Sequence, residues 1–293
     1  KPKSFLNSYR ILALRAEPAQ LTLSAPSTLS LYDFHPDDLS DERPNIQYSW
    51  TLCPFSLGSV TQYQCFLDEI PIPADEIEIM EATLDEEMVG SRPLSNAQVT
   101  LNPAELFASL GEDLATQMEQ LEMGTSMLGS EMNFFDAGIF EVYVKLTVKI
   151  EDEADFEAVK SMIILIDPEL AVNAHPQFSE ISSSVSLDEQ PRLLIEEELE
   201  LEVKITEDSV EEYEGLQSES DQSEGISSSI ETESVLIYYY STSGTFDQAV
   251  KLSEDTKSTL TLGEESGSQK LFIVLRDGRG GVDLRAYNFE VEE

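Results

Sequence analysis

The stretch VLRDGRGGVDL, residues 274–284, has the residue types best suited to chemistry: glycines, acids and two arginines between apolar residues. Such a loop could cradle a phosphate, hold a catalytic acid or turn the chain. Gly278, Gly280 and Gly281 do not follow the G-x-G-x-x-G spacing, and no helical pattern follows to supply phosphate-binding N–H groups. Alternating segments flank the loop, and the pair Asp277-Gly278 favours a hairpin because glycine reaches positive φ. We therefore predict a turn.

Enzyme motifs are missing from the rest of the sequence. It has neither the G-x-S-x-G pattern of serine hydrolases nor the H-E-x-x-H pattern of zinc proteases. The two histidines, His35 and His175, are each followed by proline in segments that read as loops. Paired carboxylates for glycoside cleavage stay open as an alternative, because acids are abundant throughout. We predict a protein that is not an enzyme.

Three consecutive tyrosines, Tyr238, Tyr239 and Tyr240, form an aromatic cluster. Side chains alternate between the two faces of a strand, so at least one of them faces away from the core. An outward tyrosine could stack on a sugar or on a partner protein. A cross-strand aromatic pair is the commoner explanation.

Calcium is the one cofactor that the sequence offers candidates for, because carboxylate oxygens are its natural ligands. The EF-hand order D-x-[DN]-x-[DN]-G is missing. The alternative is a charged rim that discourages strand edges from pairing. The candidate calcium ligands lie in the EDEAD turn and just after the following strand: Asp152, Glu153, Asp155, Asp167 and Glu169.

Cys53 and Cys65 are the only cysteines and lie twelve positions apart. A disulfide closing a loop of this length contributes about 3 kcal/mol. A zinc site would need further ligands in a C-x-x-C type pattern, which the sequence does not have. We predict a disulfide and therefore an oxidising compartment. Two free buried thiols are the alternative.

Charge is the strongest compositional signal, with 17 Lys and Arg against 58 Asp and Glu and a net charge of −41. Such a surface repels phosphate backbones and anionic membranes, so we expect no nucleic-acid partner. It suits either a basic partner and cations, or simply strong solvation. No run of about 18 apolar residues is present, so no transmembrane segment is expected.

Short alternating segments dominate the chain and read as strands. Their near-even spacing, with turn residues between them, indicates β-sandwich architecture. The clearest hairpin joins residues 140–150 to 156–166. Ile46, Tyr48, Trp50 and Leu52 share one face of another strand. The remaining predicted strands cover residues 21–34, 45–53, 192–205, 235–247, 257–263, 269–281 and 282–293.

The length of 293 residues and the strand pattern indicate two domains, both antiparallel sandwiches. An amphipathic helix is predicted over 102–124, because Pro103 opens it and apolar residues recur at spacings of three and four. Residues 167–178 contain two prolines without periodicity and mark the boundary. The predicted units are domain 1–168 with a helix-bearing insertion at about 70–135, and domain 169–293 with an acidic loop at 206–234.

Residues 238–291 resemble the C-terminal half of bacterial immunoglobulin-like or PKD-like domains. Tyr240, Gly244 and Phe246 match their W-x-x-x-x-G-x-F pattern, with tyrosine in place of tryptophan. The segment LFIVLRDGRGG matches their closing strand and turn. NSYRILALRAEP, YSWTLC and DGRGG together are similar to uncharacterised surface lipoproteins of myxobacteria and related bacteria. These motifs are structural, and they imply tandem immunoglobulin-like sandwiches without implying an activity.

We accordingly expect a non-enzymatic, exported protein of the bacterial cell surface, periplasm or extracellular space. It would act as a structural or interaction subunit, with envelope or filament proteins or copies of itself as partners and a lipid anchor upstream of Lys1. Exposed strand edges would dock by β-augmentation. The alternatives are a filament subunit, a calcium-assisted adhesin, and a secreted carbohydrate-active hydrolase whose acids lie in the insertion.

Overall fold

The computed structural model describes residues 4–39, 45–54, 56, 58, 62–65, 68–72, 97–106, 139–151, 153–168, 170–218 and 226–293. The strands in these ranges are β1 (Arg10–Glu17), β2 (Leu21–Thr22), β3 (Ser27–Phe34), β4 (Ile46–Cys53), β5 (Ile70–Pro71), β6 (Ala97–Leu101), β7 (Ile139–Ile150), β8 (Phe156–Leu165), β9 (Phe178–Ser183), β10 (Arg192–Leu194), β11 (Glu198–Ile205), β12 (Glu212–Ser218), β13 (Ile226–Thr232), β14 (Leu236–Ser241), β15 (Thr245–Phe246), β16 (Val250–Leu252), β17 (Lys257–Thr261), β18 (Gly267–Arg276) and β19 (Val282–Glu292).

These strands build two sandwiches, which confirms the predicted fold class. In the first sandwich, a sheet ordered β1-β3-β6 faces a sheet ordered β2-β8-β7-β4-β5. In the second, a sheet ordered β10-β19-β18-β14-β16 faces a sheet ordered β15-β17-β11-β9. Pairing is antiparallel except at two short edges, where β2 pairs with β8 and β10 with β19 in parallel. The predicted boundary at residue 168 falls between β8 and β9.

Alternation explains why the β7–β8 hairpin forms as predicted. Its two strands pair from Ile139 with Leu165 to Val148 with Phe156. From Phe140 to Ile150, every second residue of β7 points into the first core. Of the residues between them, Tyr143 is also buried, and the other four are exposed or half-buried. Each fully buried Val or Leu of this kind contributes about 1.5 to 3 kcal/mol. On β4, Ile46, Trp50 and Leu52 face the same core, as predicted.

Four predicted elements need correction. Residues 235–247 are not one strand, because β14 ends at Ser241 and β15 belongs to the facing sheet. Residues 21–34 are not one half-buried strand, because the chain turns between β2 and β3 and β3 is buried on both faces. The acidic segment 206–234 is not only a loop, because β12 and β13 pair as a separate hairpin. Residues 192–205 form two strands, β10 and β11, interrupted by a turn in which Glu196 has a φ of +64°.

The helix-bearing insertion lies mostly outside the described residues. Its described part includes β6, which pairs with β3 and completes the first three-stranded sheet. Residues 103–106 are helical, and the Ala104 N–H donates to the Asn102 side chain at 3.1 Å, so Asn102 caps the helix start. Within the described residues, no helix is long and apolar enough to cross a membrane.

Candidate functional site

The two sandwiches meet through an apolar face, here called the junction cluster. It combines the outward faces of β1 and β3 with those of β14, β18 and β19. Phe34 and Phe272 meet across it edge to face, with ring centroids 6.0 Å apart. The sheet β1-β3-β6 and the sheet β10-β19-β18-β14-β16 therefore pack against each other as well as against their own partner sheets, and the four sheets form one stack. The buried members are Leu6, Leu12, Ala13, Tyr32, Phe34, Tyr240, Phe272, Val274, Val282 and Leu284.

Residues before β1 also reach the second sandwich. Phe5 forms a parallel bridge with Ser241 at the end of β14. The Leu6 N–H donates to the Ser241 carbonyl at 2.8 Å, and the Ser241 N–H donates to the Ser4 carbonyl at 3.0 Å. Backbone hydrogen bonds therefore join the two sandwiches beside the apolar contact.

The glycine-rich loop between β18 and β19, here called the junction loop, is a hairpin turn as predicted. The Asp277 Oδ1 atom accepts backbone N–H groups from Arg279 at 2.9 Å and from Gly281 at 2.7 Å. The left-handed φ, +98°, belongs to Gly280 and not to Gly278, where the Asp-Gly pair predicts it. A Cβ at Gly281 would lie 1.9 Å from Asp277 Oδ2, so glycine there lets the carboxylate fold over the loop.

Four basic side chains cross the junction, and each ends on a backbone carbonyl of the other sandwich. A buried cation is tolerated because such partners replace the lost water. The contacts are Lys160 Nζ to Gly280 at 2.7 Å, Arg15 Nη1 to Val282, Arg276 Nη2 to Leu12, and Lys270 Nζ to Asp38 at 3.1 Å. Two of these side chains therefore reach from the first sandwich to the second, and two reach back.

The linker, residues 167–177, is tied to both sandwiches. The Asn173 N–H donates to Gln20 Oε1 at 2.9 Å, and its Nδ2 donates to Asp277 Oδ2 at 3.2 Å. His175 Nδ1 accepts the Val282 N–H at 2.9 Å. Asn173 is 3% exposed. Residues 173–175 of the linker are therefore hydrogen-bonded to both sandwiches, which restrains the linker as a hinge.

Arg279 of the junction loop fixes the acidic hairpin of β12 and β13. Its guanidinium lies 4.7 Å from the centre of the Tyr213 ring. The Nη1 atom is 3.3 Å from Glu211 Oε2, and the Nε atom is 3.9 Å from Glu233 Oε1. The composition of this segment predicts a loop, because composition cannot show a contact with a residue far away in the sequence. Arg279 supplies that contact through its stacking on Tyr213 and its ion pairs.

Burial shifts the pKa values of two ionisable groups at the junction. It lowers the pKa of Lys160 to about 8, with Asp277 opposing the shift and nearby arginines adding to it. It raises the pKa of Glu233 to about 7, with Asp277 adding to the shift and Arg279 opposing it. Both pKa shifts arise because burial at the junction removes water from the charged form of the side chain.

His175 is a third shifted group, and its pKa falls from 6.5 to about 4. Burial is the largest cause, Arg15 and Lys160 add to it, and Glu17 opposes it. The Nε2 atom lies 3.4 Å from Glu17 Oε2. Because Nδ1 accepts the Val282 N–H, Nε2 carries the proton of the neutral ring.

Acidification should therefore weaken the wild type more than His175→Asn, whose amide oxygen can still accept the Val282 N–H. Between pH 6.5 and about 4 the unfolded chain binds a proton at this site that the folded chain does not. The stabilisation is present above pH 6.5 and is lost as the pH falls through about 4, by up to about 1.4 kcal/mol per pH unit. Urea unfolding of both proteins from pH 7.5 to 4.5 measures this. Parallel curves would contradict the prediction.

The candidate calcium residues do not form one cluster in the described structure. Glu153 Oε1 lies 3.6 Å from His35 Nε2, and Asp155 Oδ2 lies 3.9 Å from Lys149 Nζ. Among the residues described, no three His, Cys, Asp or Glu side chains are grouped to hold a metal ion. Calcium binding stays a prediction. Asp167 lies at the start of the linker, and Asp152 and Glu169 fall outside the described residues.

Cys53 and Cys65 form the predicted disulfide. It ties the end of β4 to the segment before β5 in the first sandwich. The disulfide lies within the first sandwich and takes no part in the polar contacts of the junction described above. Its bearing is on the compartment, because disulfides persist where the surroundings are oxidising.

The tyrosine cluster belongs to the two faces of β14. Tyr239 points into the second core, where its hydroxyl donates to the Thr256 carbonyl at 2.7 Å. Tyr238 and Tyr240 stack on the opposite face, with ring centroids 6.4 Å apart, and Arg276 lies 4.8 Å above Tyr238. That face is the junction side, so the junction covers Tyr240 and only part of Tyr238 remains open.

A cavity of about 330 Å³ opens in the first sandwich at the far end of the β4–β7 pair. Among the described residues that line it, Glu151 is the one carboxylate, with Lys149 beside it, and the neighbouring Asp152 lies outside the described residues. Its lining residues are Asn45, Gln47, Lys149, Ile150 and Glu151. The insertion, in which the hydrolase alternative places its acids, lies mostly outside the described residues.

Sequence reasoning missed the residues that complete the junction, namely Arg15, Lys160, Asn173 and the imidazole of His175. Their partners lie more than 100 positions away along the chain, and no local pattern reports such a pairing. One signal was present. LFIVL at 271–275 is continuously apolar rather than alternating, which is typical of strands buried on both faces.

No protein-family model matches the chain. No curated protein sequence matches it either.

Several solved structures are similar to the chain at low scores. The fibronectin(III)-like modules of Clostridium thermocellum CbhA are 6% identical and cover 97% of this chain and 94% of their own, with a TM-score of 0.26. The Ig1-2 module of the Drosophila receptor protein tyrosine phosphatase DLAR is 7% identical over 98% and 100%, with a TM-score of 0.27. The D0-D1 domain of intimin is 10% identical over 96% and 98%, with a TM-score of 0.24. At these scores the likenesses support nothing about function, and the strand pairing and cores define the tandem sandwich.

Proposed function

We propose that the chain is a non-enzymatic, exported subunit of a bacterial cell envelope, with a structural or protein-interaction role. Domains 1–168 and 169–293 would act in it as one rigid body. One observation carries the proposal: the buried charged groups around the junction loop are engaged in joining the two sandwiches. Lys160, Arg15 and Asp277 contact partners across the junction or in the linker, rather than an open cleft.

Rigidity supports a structural role because the relative position of two surfaces is fixed. Domain interfaces within a chain are commonly polar and allow relative motion, unless they are large and hydrophobic. Here the junction cluster is apolar, and the linker is hydrogen-bonded to both sandwiches. Such a body holds its exposed strand edges at set positions, which suits docking onto neighbouring proteins.

Export is supported by the disulfide between Cys53 and Cys65. In the reducing cytosol most cysteine pairs remain free thiols, whereas disulfides persist in the cell envelope and in extracellular fluid. The acidic composition is compatible with a crowded, salty exterior because a net charge of −41 keeps copies apart.

In cells that make the protein, blocking free thiols before lysis should leave both cysteines unmodified. Reduction followed by a second alkylating reagent should then add two labels, which intact mass spectrometry would detect. Protease added to unbroken cells, or to cells with a permeabilised outer layer, should cut the chain. A chain that takes up the first thiol reagent and resists protease until the cytoplasm is opened would refute export.

A further inference from the structure

The strand β16 forms one edge of the second sandwich and carries an apolar pair that the fold leaves open. Among the strands that the structure describes, β14 is the one that pairs with β16. Val250 is 46% exposed and Leu252 is 50% exposed. Between them Lys251 is buried on the other face, with its Nζ atom 3.2 Å from Asp255 Oδ2. The lysine that could protect this edge is therefore turned away from the apolar pair.

The exposed pair continues the junction side of the sheet. In the register, Val274 pairs with Tyr238, and Tyr238 pairs with Val250. Directly opposed residues point to the same face. Exposure rises along this row from the buried Val274 through the half-buried Tyr238 to Val250. The apolar face that joins the two sandwiches thus runs on to the sheet edge through Tyr238, over whose ring the Arg276 guanidinium lies.

The backbone of β16 presents unpaired groups beside these side chains. Two hydrogen bonds fix which residues face β14: the Tyr239 N–H to the Ala249 carbonyl at 2.9 Å and the Ser253 N–H to the Val235 carbonyl at 3.0 Å. Hydrogen-bonded and non-hydrogen-bonded pairs alternate in an antiparallel ladder. The N–H groups of Val250 and Leu252 and the Val250 carbonyl therefore point outward, where another strand would pair.

The described edge at β6 shows the contrast. Its residues away from the core, Gln98 and Thr100, are polar and exposed. Such an edge gives an incoming strand no apolar contact. Unlike β6, β16 combines outward-pointing backbone groups with alternate exposed apolar side chains, which are the two features that an added strand would use.

We propose that β16 binds an extended segment of a partner protein as an added strand. The segment would place two apolar side chains against Val250 and Leu252 and carry a basic residue on each side of them. Carboxylates flank β16 at both ends, at Asp247 and Glu254. A second copy of this chain brings the same net charge of −41 and is disfavoured by repulsion. The inference rests on the interaction role proposed above and names the site and the partner chemistry.

The test uses the full chain and a capped synthetic peptide of alternating valine and threonine with lysine at both ends. Fluorescence anisotropy at physiological salt measures its binding. Val250→Pro removes an outward N–H without touching the ladder to β14, since edge strands tolerate proline there. Leu252→Glu removes apolar surface while adding negative charge. Each should weaken binding at least about tenfold.

Leu194→Glu is the matched control, because Leu194 is 56% exposed on β10, the opposite edge of the same sheet. It should bind like the wild type. Binding that Leu252→Glu strengthens, or that Leu194→Glu changes equally, would show general charge attraction and overturn the proposal. So would no binding, or a wild-type dimer that Val250→Pro dissociates. None of these outcomes bears on the thiol and protease test of export, so the two proposals fail separately.

Discussion

Asp277→Ala should lower the free energy of unfolding by about 3 to 4 kcal/mol. Its carboxylate accepts two backbone N–H groups of the junction loop and the Asn173 amide, and its charge favours the charged form of the buried Lys160. Removing it leaves these donors without an acceptor in a half-buried loop. Urea unfolding at pH 7.5 measures the loss, and limited proteolysis at the linker should become faster.

Asp277→Asn is the matched variant for this prediction. Its amide oxygen can still accept the N–H groups of Arg279 and Gly281, but the charge opposite Lys160 is gone. We expect about half the loss seen for alanine. If both variants unfold within about 0.5 kcal/mol of the wild type, the carboxylate does not hold the junction together.

Phe272→Ala should cost about 3 to 5 kcal/mol, because it removes a large side chain from the middle of the junction cluster. Its ring contacts Phe34 of the other sandwich, so the two substitutions should not be additive. A double-mutant cycle on Phe34→Ala and Phe272→Ala should give a coupling of about 0.5 to 1.5 kcal/mol. Both single variants and the double variant are compared by urea unfolding.

Phe246→Ala controls for simple loss of aromatic bulk. Phe246 packs against the core inside the second sandwich and does not belong to the junction cluster. Its cycle with Phe34→Ala should give a coupling near zero. Equal coupling in both cycles would mean that the rings report general stability rather than contact between the sandwiches.

The strands were predictable where one face of the strand is buried and the other is exposed to solvent. On β7 and β4, apolar and polar residues alternate because successive side chains leave opposite faces, and that period is visible in the sequence. The disulfide was predictable because only two cysteines exist. Asp277-Gly278 likewise predicted a turn, although the positive φ fell two residues later, at Gly280.

The junction was not predictable because its signals are long-range. The sequence gives no pattern that places Lys160 on Gly280, or Asn173 between Gln20 and Asp277. The same holds for the acidic hairpin, whose ordering partner is Arg279 in a distant loop. Burial of β1 and β3 on both faces was missed because a second covering sheet is a property of the assembled chain.

The burial of β1 and β3 on both faces has a consequence for how the protein is made. A ribosome delivers Leu12, Tyr32 and Phe34 long before Phe272 and Leu284, which cover them. Until the last strands are synthesised, the first sandwich exposes this apolar face to its surroundings. A chaperone or a bound leader would have to cover that apolar face during biogenesis. A chain truncated after residue 168 would be prone to aggregate.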